Sequence, residues 1–223
     1  MRPLMIAIAA SLLAASTYSM AAKPPDTWDG LYRVKAKGGA IVYLLPQADF
    51  RTYSKVMLDP TEVAFANDWQ RNNDIRSRLD DKQMRKILDE GSAMFGKSLA
   101  EAYTRQGYQV VTEAGPDVLR VRTGIANLTF VVPDQMSARS AVISRESGAA
   151  TLVVEVRDSI SGALLGRAID NELAGEDAPY IRNEMTIRTD FEYLFKGWSK
   201  RVADGLDKLK ANSPINTDGQ PTR

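Results

Sequence analysis

The sequence contains no cysteine and no histidine. Without cysteine the chain has no disulfide, no thiolate nucleophile and no lipid attached through an N-terminal cysteine. Without histidine it has no Ser-His-Asp or Cys-His catalytic arrangement, and together the two absences exclude zinc sites built on His or Cys ligands. The composition therefore favours a protein that is not an enzyme, with no catalytic residue, cofactor or metal ligand predicted.

An apolar run stands at the N-terminus. Met1-Arg2-Pro3 gives a positive start, Leu4 to Ala15 is apolar or small apart from one serine, and Ser19-Met20-Ala21 supplies the small residues that a signal peptidase reads. A helix over the apolar run would be only about 18 Å long, against a hydrocarbon core of roughly 30 Å, which argues against a retained anchor. The pattern predicts a signal peptide over residues 1–21, cleaved near Ala21, and a periplasmic or secreted protein without a transmembrane segment.

Neither sign of charge is in excess. The chain has 29 basic and 28 acidic side chains, and removal of residues 1–21 takes away only Arg2. A balanced chain without a basic block predicts no nucleic-acid partner.

The ends of the mature chain are rich in residues that disfavour regular structure. Residues 22–30 include Pro24-Pro25 and are predicted to be a linker, and residues 212–223, rich in Asn, Pro, Thr and Gly, are predicted to be a disordered tail. One αβ domain is expected between them, over residues 31–211.

Two amphipathic helices are predicted inside this domain. The first begins with a capping box of Asp80 and Gln83 and ends at Gly107. The second is expected to begin with a capping box of Thr189 and Glu192. Each has one apolar face, so each should cover a sheet.

Strands are predicted between and before the helices. Thr151 to Arg157 alternates, with Leu152, Val154 and Val156 on one face, and Ser161-Gly162 turns the chain into a partner strand near Leu164 to Leu173. Further strands are expected at Lys55–Leu58, Val63–Phe65, Tyr108–Thr112 and Val118–Val132. The predicted fold is α+β or α/β, a single mixed sheet covered by two helices in the rough order β-α-β-β-β-β-α.

Residues 91–98 match the phosphate-loop formula G-x-x-x-x-G-K-[ST] through Gly91, Gly96, Lys97 and Ser98. That loop binds phosphates where a buried strand turns into a helix. Here the preceding residues continue a helical pattern instead, so the match is more simply a helix that contains two glycines. Nucleotide binding remains a remote alternative.

Two long segments show no regular pattern, residues 133–148 and residues 175–184. Loops on a rigid scaffold often carry binding residues, so Arg139 and Arg145 in the first and Asp177 and Tyr180 in the second are candidates for contact with a ligand or partner. Carboxylates recur nearby, and a pair of them acting in a hydrolase is a second remote alternative. They are Asp158, Asp170, Glu172, Glu176, Asp177 and Glu184.

Four stretches resemble the bacterial family of unknown function numbered 3313. They are Tyr43 to Phe50, Lys55 to Val63, Ala114 to Arg122, and the hairpin from Glu155 to Leu165. The resemblance covers about Gly39 to Leu209 and implies a cell-envelope protein, often described as a lipoprotein, without catalytic residues to transfer. This chain departs from that description because it has no cysteine to carry a lipid.

Two classes of function follow. The first is a non-enzymatic accessory or protein-interaction module with a partner in the cell envelope. The alternative is a periplasmic protein that binds a small ligand through the loops around Arg139 and Tyr180.

Overall fold

A computed structural model of the chain describes residues 23–36, 38–67, 69, 79–132, 142–175 and 179–216. These residues form two helices, α1 (Asp81–Arg105) and α2 (Glu184–Ala211). They also form eleven strands: β1 (Thr27–Trp28), β2 (Leu31–Val34), β3 (Ile41–Leu44), β4 (Lys55–Leu58), β5 (Glu62–Phe65), β6 (Gln109–Val111), β7 (Val118–Phe130), β8 (Val142–Ser144), β9 (Gly148–Asp158), β10 (Leu164–Ala174) and β11 (Tyr180–Arg182).

Nine of these strands form one mixed sheet in the order β1-β2-β3-β10-β9-β7-β4-β6, with β5 also beside β7. β7 is 13 residues long, so it pairs in parallel with β4 along its first half and with β5 along its second half. β8 and β11 form a separate two-stranded ribbon. The mixed sheet and two helices confirm the predicted fold class. Five strands precede α1, however, of which only β4 and β5 were predicted.

Alternation along β9 gives the sheet two chemically different faces. Leu152 and Val154 join the core cluster that includes both helices, whereas Glu155 and Arg157 lie on the opposite face because successive strand residues point in opposite directions. The hairpin of β9 and β10 confirms the strand pair predicted around Ser161-Gly162.

The first helix follows its sequence signals. Asp80 accepts a hydrogen bond from the Gln83 amide at 2.7 Å, and the Gln83 side chain accepts one from the Asp80 amide at 2.8 Å. Gly107 has φ +87°, the left-handed conformation that glycine adopts most easily after a helix. The predicted capping box and stop signal are therefore confirmed, and α1 buries Phe95 and Tyr103.

The second helix begins earlier than predicted. Asn183 caps it through a reciprocal pair with Thr186, at 3.0 Å and 2.9 Å. Thr189 instead donates to the Met185 carbonyl at 2.9 Å, inside the helix. The prediction of a start at Thr189 and Glu192 was wrong because Asn183 and Thr186 provide the same reciprocal bonds without fitting the usual Ser/Thr and Glu/Gln formula.

Parts of the predicted linker and tail belong to the fold. β1 lies at residues 27–28, and the Tyr43 hydroxyl donates to the Pro25 carbonyl at 3.0 Å. Ile215 is fully buried, and its backbone bonds to Gln47 and Ala48 at 2.8 Å and 2.9 Å. Within the described ranges, neither helix has a stretch long and apolar enough to cross a bilayer.

Candidate ligand-binding cleft

The helices leave part of the apolar face of the sheet open. α1 packs on β4, β5 and β6, and α2 packs on β10 and β11. β3 and β2 lie beyond β10, and Val34, Val42 and Leu44 carry the apolar face onward across these two strands. A space remains between this part of the sheet and the C-terminal half of α2.

This helix–sheet cleft has a volume of about 590 Å³. Its floor comes from β3, β9 and β10, and one wall comes from α2. The lining is mainly aliphatic and includes Val42, Val154, Val156, Ala168, Val202 and Leu206. The volume lies inside the range of roughly 300 to 1,000 Å³ that is usual for small-molecule sites, which are also mostly apolar.

Small residues keep the cleft open. On the floor, a Cβ atom at Gly166 would lie 3.0 Å from Leu44 Cδ2 and 3.2 Å from Val156 Cγ2, so neighbouring side chains already close the surface there. On the wall, a Cβ atom at Gly205 would meet no atom within 4 Å. A larger side chain at position 205 would therefore occupy the cleft without displacing the core.

A polar group lies at one edge of the cleft. The buried Trp198 ring donates from Nε1 to Asp170 Oδ2 at 3.1 Å. Arg201 contacts the same oxygen at 3.3 Å and also pairs with Glu172. The Asp170 carboxylate is thus compensated by a donor and a cation, and it fixes α2 to β10.

Two exposed lysines also line the cleft, Lys35 just after β2 and Lys208 near the end of α2. Among the described residues neither forms an ion pair. The acidic groups of this half of α2 face α1 instead: Asp207 accepts from the Tyr108 hydroxyl at 2.5 Å, and Asp204 accepts from Gln106. The cleft side of the helix is therefore basic.

The opposite face of the sheet carries a ladder of alternating charges. Arg167 on β10 contacts Glu155 on β9 at 2.5 Å and Asp29 at 2.9 Å, and its guanidinium lies 3.9 Å from the centre of the Trp28 ring. Glu155 also contacts Arg122 on β7 at 3.8 Å. Each carboxylate in this ladder has an arginine partner, so the ladder ties neighbouring strands together.

Most of the chain matches a known protein family. The model of the family described as protein of unknown function (DUF3313) matches residues 17–202. This chain belongs to the DUF3313 family. No curated protein matches it.

Solved structures of low sequence identity also match this DUF3313 protein. The PelC dodecamer from Paraburkholderia phytofirmans matches 75% of this chain and 96% of its own, at 10% identity and a TM-score of 0.37. A DUF4136 family protein from Bacteroides thetaiotaomicron matches 80% of this chain and 98% of its own, at 11% identity and a TM-score of 0.37. A DUF330 protein from Xanthomonas campestris matches 75% of this chain and 90% of its own, at 10% identity and a TM-score of 0.38.

The phosphate-loop match lies wholly within α1 of this DUF3313 protein. Amide groups in a helix interior donate to carbonyls four residues earlier, so they are not free to surround a phosphate. Lys97 is exposed, and Ser98 is buried. The glycines of the motif thus occupy ordinary helical positions.

The two loop candidates that the structure describes, Arg145 and Tyr180, do not line the cleft. Tyr180 opposes Ser144 in the ribbon, and Arg145 follows directly, so the fold brings Arg145 and Tyr180 close together. Tyr180 is 60% exposed, and the Arg145 carbonyl accepts from the buried Arg182 at 2.8 Å. Arg139 and Asp177 lie outside the described residues.

Three of the carboxylates, Asp158, Asp170 and Glu172, have structural partners, and Glu176 lies outside the described residues. Asp158 caps the turn after β9, where it accepts from the Ser161 amide and hydroxyl at 2.7 Å each. These hydrogen bonds lower the pKa of Asp158, and the one from the Ser161 backbone amide has the largest effect. A glycosidase-type general acid needs a raised pKa, which is the opposite shift. Among the described residues, no cluster of three or more acidic groups could hold a metal ion.

The sequence did not single out the residues of the cleft. Val154 and Val202 each lie on an apolar face that was expected to be covered, and Val42 lies in β3, a strand that was not predicted. The available signal was Gly205, a glycine within a strongly helical stretch, where an alanine would stabilise the helix by about 1 kcal/mol.

Proposed function

We propose that this chain is a non-enzymatic binding protein of the cell envelope whose ligand occupies the helix–sheet cleft. The observation that carries the proposal is the aliphatic cleft of about 590 Å³. An apolar surface of this kind gains free energy when a ligand displaces water from it, by about 25 cal/mol for each Å² covered. The paired state of Asp158, Asp170 and Glu155 supports binding rather than catalysis.

The location is part of the proposal. Residues 1–21 act as a signal peptide that is removed after Ala21, and the mature protein works outside the cytoplasm. The supporting observation is the positive start, apolar run and small cleavage-site residues. Intact mass measurement of the protein recovered from the periplasm or medium should give an N-terminus at Ala22, and a protein that keeps Met1 in the cytoplasm contradicts this.

Binding in the cleft can be tested with a neutral apolar fluorophore, N-phenyl-1-naphthylamine. The unmodified protein should enhance its emission in a saturable way. Gly205→Trp should abolish the enhancement because the indole fills the cleft from its α2 wall.

A matched control is available on the other helix. Gly96 also has no atom within 4 Å of its would-be Cβ atom, and it does not line the cleft. Gly96→Trp should therefore leave the emission curve unchanged, while circular dichroism checks that both variants fold. Enhancement that survives Gly205→Trp, or that never appears with the folded unmodified protein, overturns the proposal.

A second candidate function is self-association through the β8–β11 ribbon. Ile143 and Ile181 oppose each other and are 75% and 54% exposed, and nearby Met185 is 76% exposed. Clustered exposed apolar side chains commonly mark protein interfaces. An antiparallel edge can pair with its own copy about a two-fold axis, so the partner we propose is a second copy of this chain.

Sedimentation velocity distinguishes this second candidate. The second candidate is supported if the unmodified protein is a dimer and the double variant Ile143→Lys/Ile181→Lys is a monomer. A monomer at all concentrations for the unmodified protein contradicts it and leaves the cleft proposal unaffected.

A further inference from the structure

The cleft combines an apolar interior with a basic edge. Three cationic side chains contribute to its lining, those of Lys35, Arg201 and Lys208, against one acidic residue, Asp170; the side chain of Arg167 lies on the opposite face of the sheet. Arg201 is already paired with carboxylates. The cations left without an ion pair among the described residues are the two lysines.

The acidic groups of α2 offset only part of this charge. Lys200 contacts Asp204 at 2.5 Å, and that hydrogen bond is the main cause of the lowered pKa of Asp204, to which the charge of Lys208 contributes less. Asp207 is held on the α1 side of the helix by Tyr108. A ligand in the cleft therefore meets aliphatic side chains along its length and an ammonium group at its exposed part.

We propose that the ligand is a single-chain anionic lipid, with its acyl chain in the cleft and its head group against Lys35 or Lys208. This rests on the proposed binding function of the cleft. Charge complementarity selects the head group: a carboxylate or phosphate gains a charge-assisted hydrogen bond from a lysine, which a neutral or zwitterionic head group gains less well. The apolar interior selects the chain.

The chain and the head group make separable contributions. Each methylene that leaves water for the cleft raises affinity about fourfold, from about 0.8 kcal/mol per methylene. An exposed ion pair adds less, about two- to fivefold, and weakens as salt rises. The acyl chain should therefore determine the affinity of the lipid, and the head group should determine whether an anionic or a zwitterionic lipid is preferred.

The experiment is displacement of N-phenyl-1-naphthylamine by two lysolipids with the same acyl chain, below their micelle concentrations. Lysophosphatidylglycerol is anionic and lysophosphatidylcholine is zwitterionic. The anionic lipid should displace the fluorophore at an about two- to fivefold lower concentration in low salt. The gap should narrow at high salt, and lipids with shorter chains should bind more weakly.

Three variants locate the contacts. Lys35→Gln and Lys208→Gln, made separately, show which end of the cleft receives the head group, since the one in contact should remove most of the preference. Lys97→Gln is the matched control, because Lys97 is an exposed helical lysine outside the cleft. Gly205→Trp should abolish the displacement signal for both lipids.

The outcomes separate this inference from the proposed function. Equal displacement by both lipids, or a preference that neither lysine variant changes, overturns the head-group assignment while the binding function stands. Bound fluorophore that no lysolipid displaces overturns the acyl-chain assignment. If the unmodified protein is a dimer and Gly205→Trp makes it a monomer, a second copy of the protein covers the cleft, and the lipid proposal is overturned.

Discussion

Arg167 and Glu155 oppose each other on β10 and β9, and their side chains meet at 2.5 Å although each is more than nine-tenths buried. The arginine is also held by Asp29 and by the face of Trp28. Burying two charges is costly, and good geometry with additional partners is what offsets the cost. The pair therefore connects the centre of the sheet to the β1–β2 edge.

Glu155→Gln should lower the free energy of unfolding by about 3 kcal/mol or more, because it leaves the buried Arg167 without its main counter-charge. Urea denaturation measures the change. The control is Lys86→Ala, which removes an exposed helical pair with Glu90 at 3.7 Å and should cost less than about 0.5 kcal/mol. Similar small losses in both variants would show that the buried pair contributes little.

Gly148→Ala should destabilise the protein by about 1 to 3 kcal/mol, since its Cβ atom would force the backbone apart. That atom would lie 2.0 Å from the Thr129 carbonyl oxygen and 2.8 Å from Phe130 Cα, where β9 meets β7. Gly205→Ala should have the opposite sign and stabilise the protein by up to about 1 kcal/mol, since space is free and alanine favours helix. Chemical denaturation of both variants tests the pair, and a tolerated Gly148→Ala would contradict the tight strand contact.

Three buried tyrosines should give the protein an alkaline limit. Burial is the main cause that raises the pKa of Tyr53, Tyr103 and Tyr108, and hydrogen bonds to Asp158 and Asp207 add to it for the first and third. Because these pKa values are higher in the folded state, the un-ionised rings contribute their full stability below the pKa of tyrosine in the unfolded chain, about 10. That contribution to the free energy of unfolding is lost as the pH rises above this value.

Absorbance of tyrosinate, followed together with circular dichroism, should show a late step in which these three rings ionise as the fold is lost. Tyr108→Phe should reduce the late step by one ring. Tyr193→Phe is the control because that ring is 69% exposed, and it should leave the late step unchanged. Ionisation of all tyrosines before any loss of structure would contradict the prediction.

Local patterns were sufficient to predict the fold class and most elements. The capping box of Asp80 and Gln83, the glycine stop at Gly107 and the alternation of Leu152, Val154 and Val156 are short-range signals, and each appears in the structure. The start of α2 was missed because Asn183 and Thr186 make a cap outside the usual formula. Residues 27–28 pair with β2 despite the prolines just before them.

By itself, the sequence excluded disulfides and any site built on cysteine or histidine. It also determined that one mixed sheet forms with two helices and which side chains alternate along the central strands. The tertiary structure decided where the helices stop covering the sheet. The cleft joins Val42, Val154, Ala168 and Gly205, which come from three strands and a helix far apart in sequence. Periodicity shows that each of these surfaces is apolar, but only the packing of α2 across β10 determines that part of the face stays open.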